Sequence, residues 1–169
     1  HKCSQFAKLQ IKQGAIGVSA AKVSEAEGLV KSGVGGVLIT SPVSTPYKIE
    51  RLMECRQQDP ALVVVVDHLD NAHTLNESAK AQDCKLEVLI DMDPGVGRTG
   101  VRYEGALEFA QALRQLKHLK VRGIQCYAGN LQHIRDYQER RTASQMAMTK
   151  AGEVYRKLQT LDSAIDIFT

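Results

Sequence analysis

Ten residues near the middle of the chain hold the densest chemistry. Residues 91–100 read Asp-Met-Asp-Pro-Gly-Val-Gly-Arg-Thr-Gly, and Gly95, Gly97 and Gly100 satisfy the G-x-G-x-x-G spacing. That spacing marks a dinucleotide site when it turns tightly from a strand into a helix and an acidic residue ends the next strand. Here the preceding strand is expected to end at Asp91, four residues before the first glycine, and the next helix to start near Tyr103. The following strand, expected over residues 121–127, ends without an acid. Two other readings stand: a structural glycine turn, or a loop that presents Arg98 to a bound anion or ring. A guanidinium stays charged and offers a rigid fork of donors. Beside a heteroaromatic nitrogen it would oppose protonation of that nitrogen. The duller reading pairs Arg98 with Asp91 or Asp93 to hold the loop.

Tyr127-Ala128-Gly129-Asn130 closes another strand. The Tyr127 ring could cap the core or pack on a flat cofactor, and Gly129 would let a ligand approach the backbone. His133 follows six residues after Tyr127. From the residues alone it reads as a surface or capping histidine. Asp67 and His68 are adjacent, and neighbours on an extended strand point to opposite faces, which disfavours an acid/base pair. Lys22 and Lys2 are amines that read as solvated. No P-loop and no spacing of metal ligands occurs, and the four cysteines, Cys3, Cys55, Cys84 and Cys126, form no C-x-x-C. They read as reduced thiols in a cytoplasmic setting.

These groups need a scaffold that brings strand ends together. Strands are expected with centres near residues 18, 38, 64, 89, 124 and 166, separated by helices. Helices are expected over residues 4–13, from Ser24 to about Lys31 behind a Ser24-x-x-Glu27 box, from Pro46 to before Pro60, over 71–81, from Tyr103, and along a face of Ala147, Ala151, Val154, Leu158 and Leu161. Residues 62–66, Leu-Val-Val-Val-Val, are apolar throughout and must be covered on both faces. The alternation implies parallel β/α units with right-handed crossovers, as an open doubly wound sheet or most of a (β/α)8 barrel. Either places function at the C-terminal strand ends. The 169 residues carry 22 Lys plus Arg against 19 Asp plus Glu. This surplus is too small to argue for nucleic acid, and no apolar run reaches the ~18 residues of a membrane span. At 43% hydrophobic and 24% charged, the chain reads as globular rather than disordered.

The motifs resemble the D-threonine aldolase and D-serine dehydratase family, pyridoxal-phosphate enzymes of fold type III. The markers are His1-Lys2-Cys3, residues 21–27, Ile39-Thr40 with Lys48-Ile49, residues 91–100, and Gly123-Ile124-Gln125 through Tyr127 to Gln132-His133. The resemblance implies an α/β fold, a partial (β/α)8 TIM barrel of the alanine racemase N-terminal type, spanning residues 1–169. It makes Arg98 the arginine that faces the pyridine nitrogen and Tyr127 the tyrosine of the cofactor pocket. His133 stands near the histidine that some relatives carry after the tyrosine, where this chain has Ala128. His1 would lie close to the Schiff-base lysine, which the family motif R-P-H-x-K-T-H-K puts two residues before His1. No catalytic residue is therefore expected within the chain itself. The chain then reads as an inactive internal fragment, without the first strand, the phosphate loop and the C-terminal β domain that would bind Mn, Mg or Zn. The implied activity is cleavage of a D-β-hydroxy amino acid to glycine and an aldehyde, by a cytoplasmic homodimer in full-length form. A D-serine or 3-hydroxy-D-aspartate dehydratase, a non-catalytic pyridoxal-phosphate protein and a Rossmann-like oxidoreductase domain are the alternatives.

Overall fold

The computed structural model describes residues 3–169; His1 and Lys2, and the role expected for His1, lie outside the described residues. Six β/α units follow one another. The strands are β1 (Val18–Ala20), β2 (Val37–Ile39), β3 (Val63–Val66), β4 (Leu86–Met92), β5 (Leu119–Cys126) and β6 (Ile167–Phe168). The helices are α1 (Ser4–Lys12), α2 (Val23–Lys31), α3 (Pro46–Gln58), α4 (Leu69–Ala81), α5 (Ala106–Leu113) and α6 (Tyr137–Leu161). Every strand pair is parallel, and the spatial order is the sequence order, β1 to β6. The sheet is therefore a partial barrel. A doubly wound sheet needs a reversal of strand order to make its binding crevice. None is present among the described strands, which removes the Rossmann alternative.

Alternation along the strands separates two apolar layers. Val64, Val66, Val88, Ile90 and Ile124 pack outward against helix residues such as Leu29, Leu52, Leu75, Leu113 and Leu158. Val63, Val65 and Leu89 face the lumen with Leu38 and Ile167. The continuous apolar run of β3 is thus covered on both sides, as its composition requires.

The Ser24-x-x-Glu27 box is corrected. Ser24 does not cap α2. The helix begins at Val23, so Ser24 is already in its first turn, and the Ala21 N–H donates to Glu25 Oε2 at 2.8 Å. Glu27 is instead held by Arg51 of α3 through Nε at 2.6 Å and through Nη2. On α6, Met146 is 59% exposed while Met148 packs against the core.

A bulge in β5 matters for the site. Val121 pairs with Val88, but Leu89 pairs with Gly123, leaving Arg122 as the extra residue. In an unbroken strand, residues three apart face opposite sides. The bulge puts both Arg122 and Gln125 on the lumen side. Arg122 sits low in the lumen, bonded to Glu87 and to both oxygens of Asp166, at 2.9 and 2.6 Å for the latter. That pairing holds the Asp166 carboxyl below its ordinary value. A Cβ at Gly123 would lie 1.7 Å from the Ile167 carbonyl oxygen, so the β5–β6 pairing requires glycine there.

Candidate active site at the barrel mouth

The C-terminal ends of the strands surround a cleft of 430 Å³, lined by Thr40, Ser41, Arg98, Gln125, Tyr127 and Thr169 among others. A wider neighbouring cleft of 660 Å³ lies over the start of α4 and shares Ser41 and Arg98 with it. Arg98 therefore stands between the two.

The glycine-rich loop explains how Arg98 is presented. Asp93 accepts hydrogen bonds from the N–H groups of Gly95, Val96 and Gly97 at 2.7–3.1 Å. These N–H groups are the ones a pyrophosphate would need, so the loop is turned inward on a carboxylate and is no dinucleotide cradle. Burial pushes the Asp93 carboxyl up, but hydrogen bonds from Gly97, Gly95 and Val96 outweigh it, and the net shift is downward. Gly100 packs back on the loop's start, where a Cβ would meet Asp93 N at 2.6 Å.

Asp91 is 3% exposed at the end of β4. It accepts from Gln125 Nε2 and from the Thr99 hydroxyl, each at 2.8 Å. Burial raises its pKa despite these two donors. Asp67 Oδ2 accepts from the Gly100 N–H at 3.0 Å. Neither Asp91 nor Asp93 forms an ion pair with Arg98 among the described residues. The expected alternative, in which one of them neutralises Arg98 to hold the loop, gives way to a different arrangement: the carboxylates hold the loop's backbone and Thr99. The exposed Arg98 guanidinium lies over the Tyr127 ring, 5.6 Å from the centroid.

Tyr127 follows β5 directly and is 51% exposed. Gly129 does not open the backbone to a ligand. Its missing Cβ makes room for the Tyr127 ring itself, whose Cζ would lie 2.3 Å from a Cβ there. His133 ends the short 3₁₀ turn Gly129–His133, is exposed, and is not among the residues lining the mouth cleft. His68 caps α4, its Nδ1 accepting from the Asp70 N–H, while Asp67 turns to Gly100; the two do not act as a pair. Lys22 is exposed at the start of α2. No group of three His, Cys, Asp or Glu side chains converges on a metal-sized site among the described residues. No helix of the described residues is long and apolar enough to cross a membrane.

The sequence does not single out Gln125 or Thr99 as site members, and Asp67 stands out in it only as half of the disfavoured pair with His68. The signal for Gln125 was present: a polar side chain inside an otherwise apolar strand must find partners.

A strand order without reversal and a site at the strands' C-terminal ends leave a barrel family to be named. The sequence profile of the alanine racemase N-terminal domain matches residues 1–166. The chain belongs to this family. Within the alanine racemase N-terminal domain family, it is similar to the 3-hydroxy-D-aspartate aldolase of Paracoccus denitrificans, 33% identical over 94% of this chain and 42% of that protein. It is 32% identical to the D-threonine aldolase of an Arthrobacter species over 100% of this chain and 45% of that protein. The crystal structure of the D-threonine aldolase from Filomicrobium marinum superposes with a TM-score of 0.83 at 34% identity, covering 91% of this chain and 41% of that one. The chain thus spans less than half the length of these relatives.

Proposed function

We propose that this chain is the cofactor-binding barrel segment of a pyridoxal-phosphate-dependent lyase that cleaves D-configured β-hydroxy amino acids to glycine and an aldehyde. The observation that carries the reading is the Arg98–Tyr127 pair at the mouth of a barrel that is 32–34% identical to proteins named as such aldolases. The cleft's chemistry fits a flat, anionic heteroaromatic. It offers a cation that forms no ion pair with a described carboxylate, an aromatic ring beside it, and an apolar layer of the lumen below.

When bound, pyridoxal phosphate supplies the sink for the electron pair released as Cα–Cβ breaks. The net reaction would convert the D-β-hydroxy amino acid to glycine and an aldehyde, the proton lost from the β-hydroxyl balancing the proton gained at Cα. Arg98 would hold the ring: a guanidinium facing the ring nitrogen would oppose protonation there and moderate the sink. Tyr127 supports the Arg98 plane. Gln125 spans from β5 to the end of β2 and floors the cleft, its Nε2 donating to the Thr40 carbonyl at 3.1 Å. His133, exposed on the turn that follows Tyr127, would reach the cofactor only from beyond the residues that line the mouth cleft. The Schiff-base lysine precedes His1 in the whole enzyme. A divalent metal, for which the described residues offer no ligand set, would orient the substrate hydroxyl if the whole enzyme binds one. The whole enzyme would work as a cytoplasmic homodimer.

The test is made on the full-length enzyme. It should show a pyridoxal-phosphate absorbance band, and release an aldehyde from D-threonine in a metal-dependent way. Absence of the band removes the cofactor. Pyruvate and ammonia from D-serine, without aldehyde from D-threonine, make it a dehydratase.

A further inference from the structure

The segment that carries Arg98 is pinned on both sides, and the side chain between the pins is left to project. Residues 95–97 are held by Asp93. Gly100 is held by Asp67. Thr99 is held through its hydroxyl by Asp91, which lies deep at the end of β4. A carboxylate at that depth is costly without donors. Its second donor is Gln125, whose same Nε2 also reaches the Thr40 carbonyl. A continuous chain of hydrogen bonds therefore runs from the end of β2, through Gln125 on β5 and Asp91 on β4, to the residue next to Arg98. Strands β2 and β5 are not neighbours in the sheet, so this chain crosses the lumen. The β5 bulge is what turns Gln125 inward to make the crossing.

We propose that Gln125, Asp91 and Thr99 form a positioning relay that sets the height and direction of Arg98 above the barrel mouth, and that the Thr99 hydroxyl is its final link. The inference rests on the cofactor reading of the cleft given above. None of the three residues needs to touch the cofactor's ring nitrogen; they act through Arg98. The relay also ties Arg98 to the frame of the barrel rather than to its own loop alone. Loosening its last link lets the guanidinium leave the ring nitrogen for part of the time, and that nitrogen then takes a proton more readily.

Thr99→Val removes the hydroxyl while keeping the side chain's shape, and leaves the Gln125–Asp91 bond in place. In the full-length holoenzyme, Thr99→Val, Thr99→Ser and Arg98→Leu are compared by the pH profile of the bound cofactor's absorbance and by cofactor dissociation. Thr99→Val should move the profile in the same direction as Arg98→Leu and weaken cofactor retention roughly tenfold, the scale of one lost hydrogen bond to a charged group. Thr99→Ser should restore both toward the parent. A profile for Thr99→Val that matches the parent, while Arg98→Leu shifts it, overturns the relay and leaves the cofactor reading intact. Equal shifts in Thr99→Val and Thr99→Ser also overturn it, because the hydroxyl is then not the link. If Arg98→Leu itself moves nothing, Arg98 does not face the ring, and both the relay and that part of the cofactor reading fall.

Discussion

The Arg98 guanidinium sits over the Tyr127 ring at 5.6 Å, although the two residues come from the ends of different strands, β4 and β5. The contact fixes two loops against each other at the point where a flat ligand would enter. It is also exposed enough to be rebuilt around one. A cation over an aromatic face contributes about 0.5–2 kcal/mol depending on how far it is desolvated.

The first prediction concerns the ring. Tyr127→Phe keeps the aromatic face and should leave pyridoxal-phosphate affinity within about threefold of the parent. Tyr127→Ala removes the face and should weaken it roughly tenfold. Absorbance titration of the full-length apoenzyme with cofactor measures both. Equal losses in the two variants would assign the effect to the hydroxyl instead.

Two glycines on β5 and just after it should respond in opposite ways to alanine. At Gly123 the new Cβ would collide with the Ile167 backbone carbonyl, which cannot move without breaking the β5–β6 pairing. Gly123→Ala should cost at least about 2 kcal/mol of stability. At Gly129 the collision is with the outer end of the Tyr127 ring, which can swing away. Gly129→Ala should stay within about 1 kcal/mol of the parent in denaturant unfolding but lower cofactor affinity.

Asp91 gives stability a pH dependence of the less common sign. Its folded pKa is raised, first by burial. Such a group contributes stability that is full below the unfolded value of about 3.9 and is lost as pH rises through the folded value. Asp93 and Asp166, whose pKa values are lowered, contribute stability above their unfolded values that is lost as pH falls through their folded ones. In Asp91→Asn the amide oxygen can accept from Gln125 while the amide nitrogen donates to Thr99, so the change mainly removes the titration. The stability difference between parent and Asp91→Asn should therefore move in the parent's favour as pH falls from about 7 toward about 4. Thermal unfolding across that range checks it, and a flat difference would place Asp91 in contact with water.

The barrel was legible in the sequence because each strand is short and apolar and each helix carries its own face. Residues 62–66 announced burial on both sides, and Pro46 opened α3 where its missing N–H is harmless. The Arg98 loop was recognisable by its glycines and charge. What stayed hidden depends on register. Glu25, not Glu27, serves the start of α2 because the helix begins two residues earlier than a Ser24 cap would require. The inward turn of Gln125 depends on one extra residue in β5, and a bulge leaves no mark in a pattern of alternation that is already broken by Arg122 and Gly123. The role of Gly129 is hidden for a similar reason: spacing shows that a side chain is missing, not that the Tyr127 ring fills the space.

The most direct measurement is the product balance of the full-length enzyme, supplied with pyridoxal phosphate and Mn²⁺, on D-threonine and L-threonine. Cleavage of Cα–Cβ predicts glycine and acetaldehyde in equal amounts from the D isomer and neither from the L isomer. Ammonia with a 2-oxo acid, or turnover of the L isomer alone, would contradict the assignment.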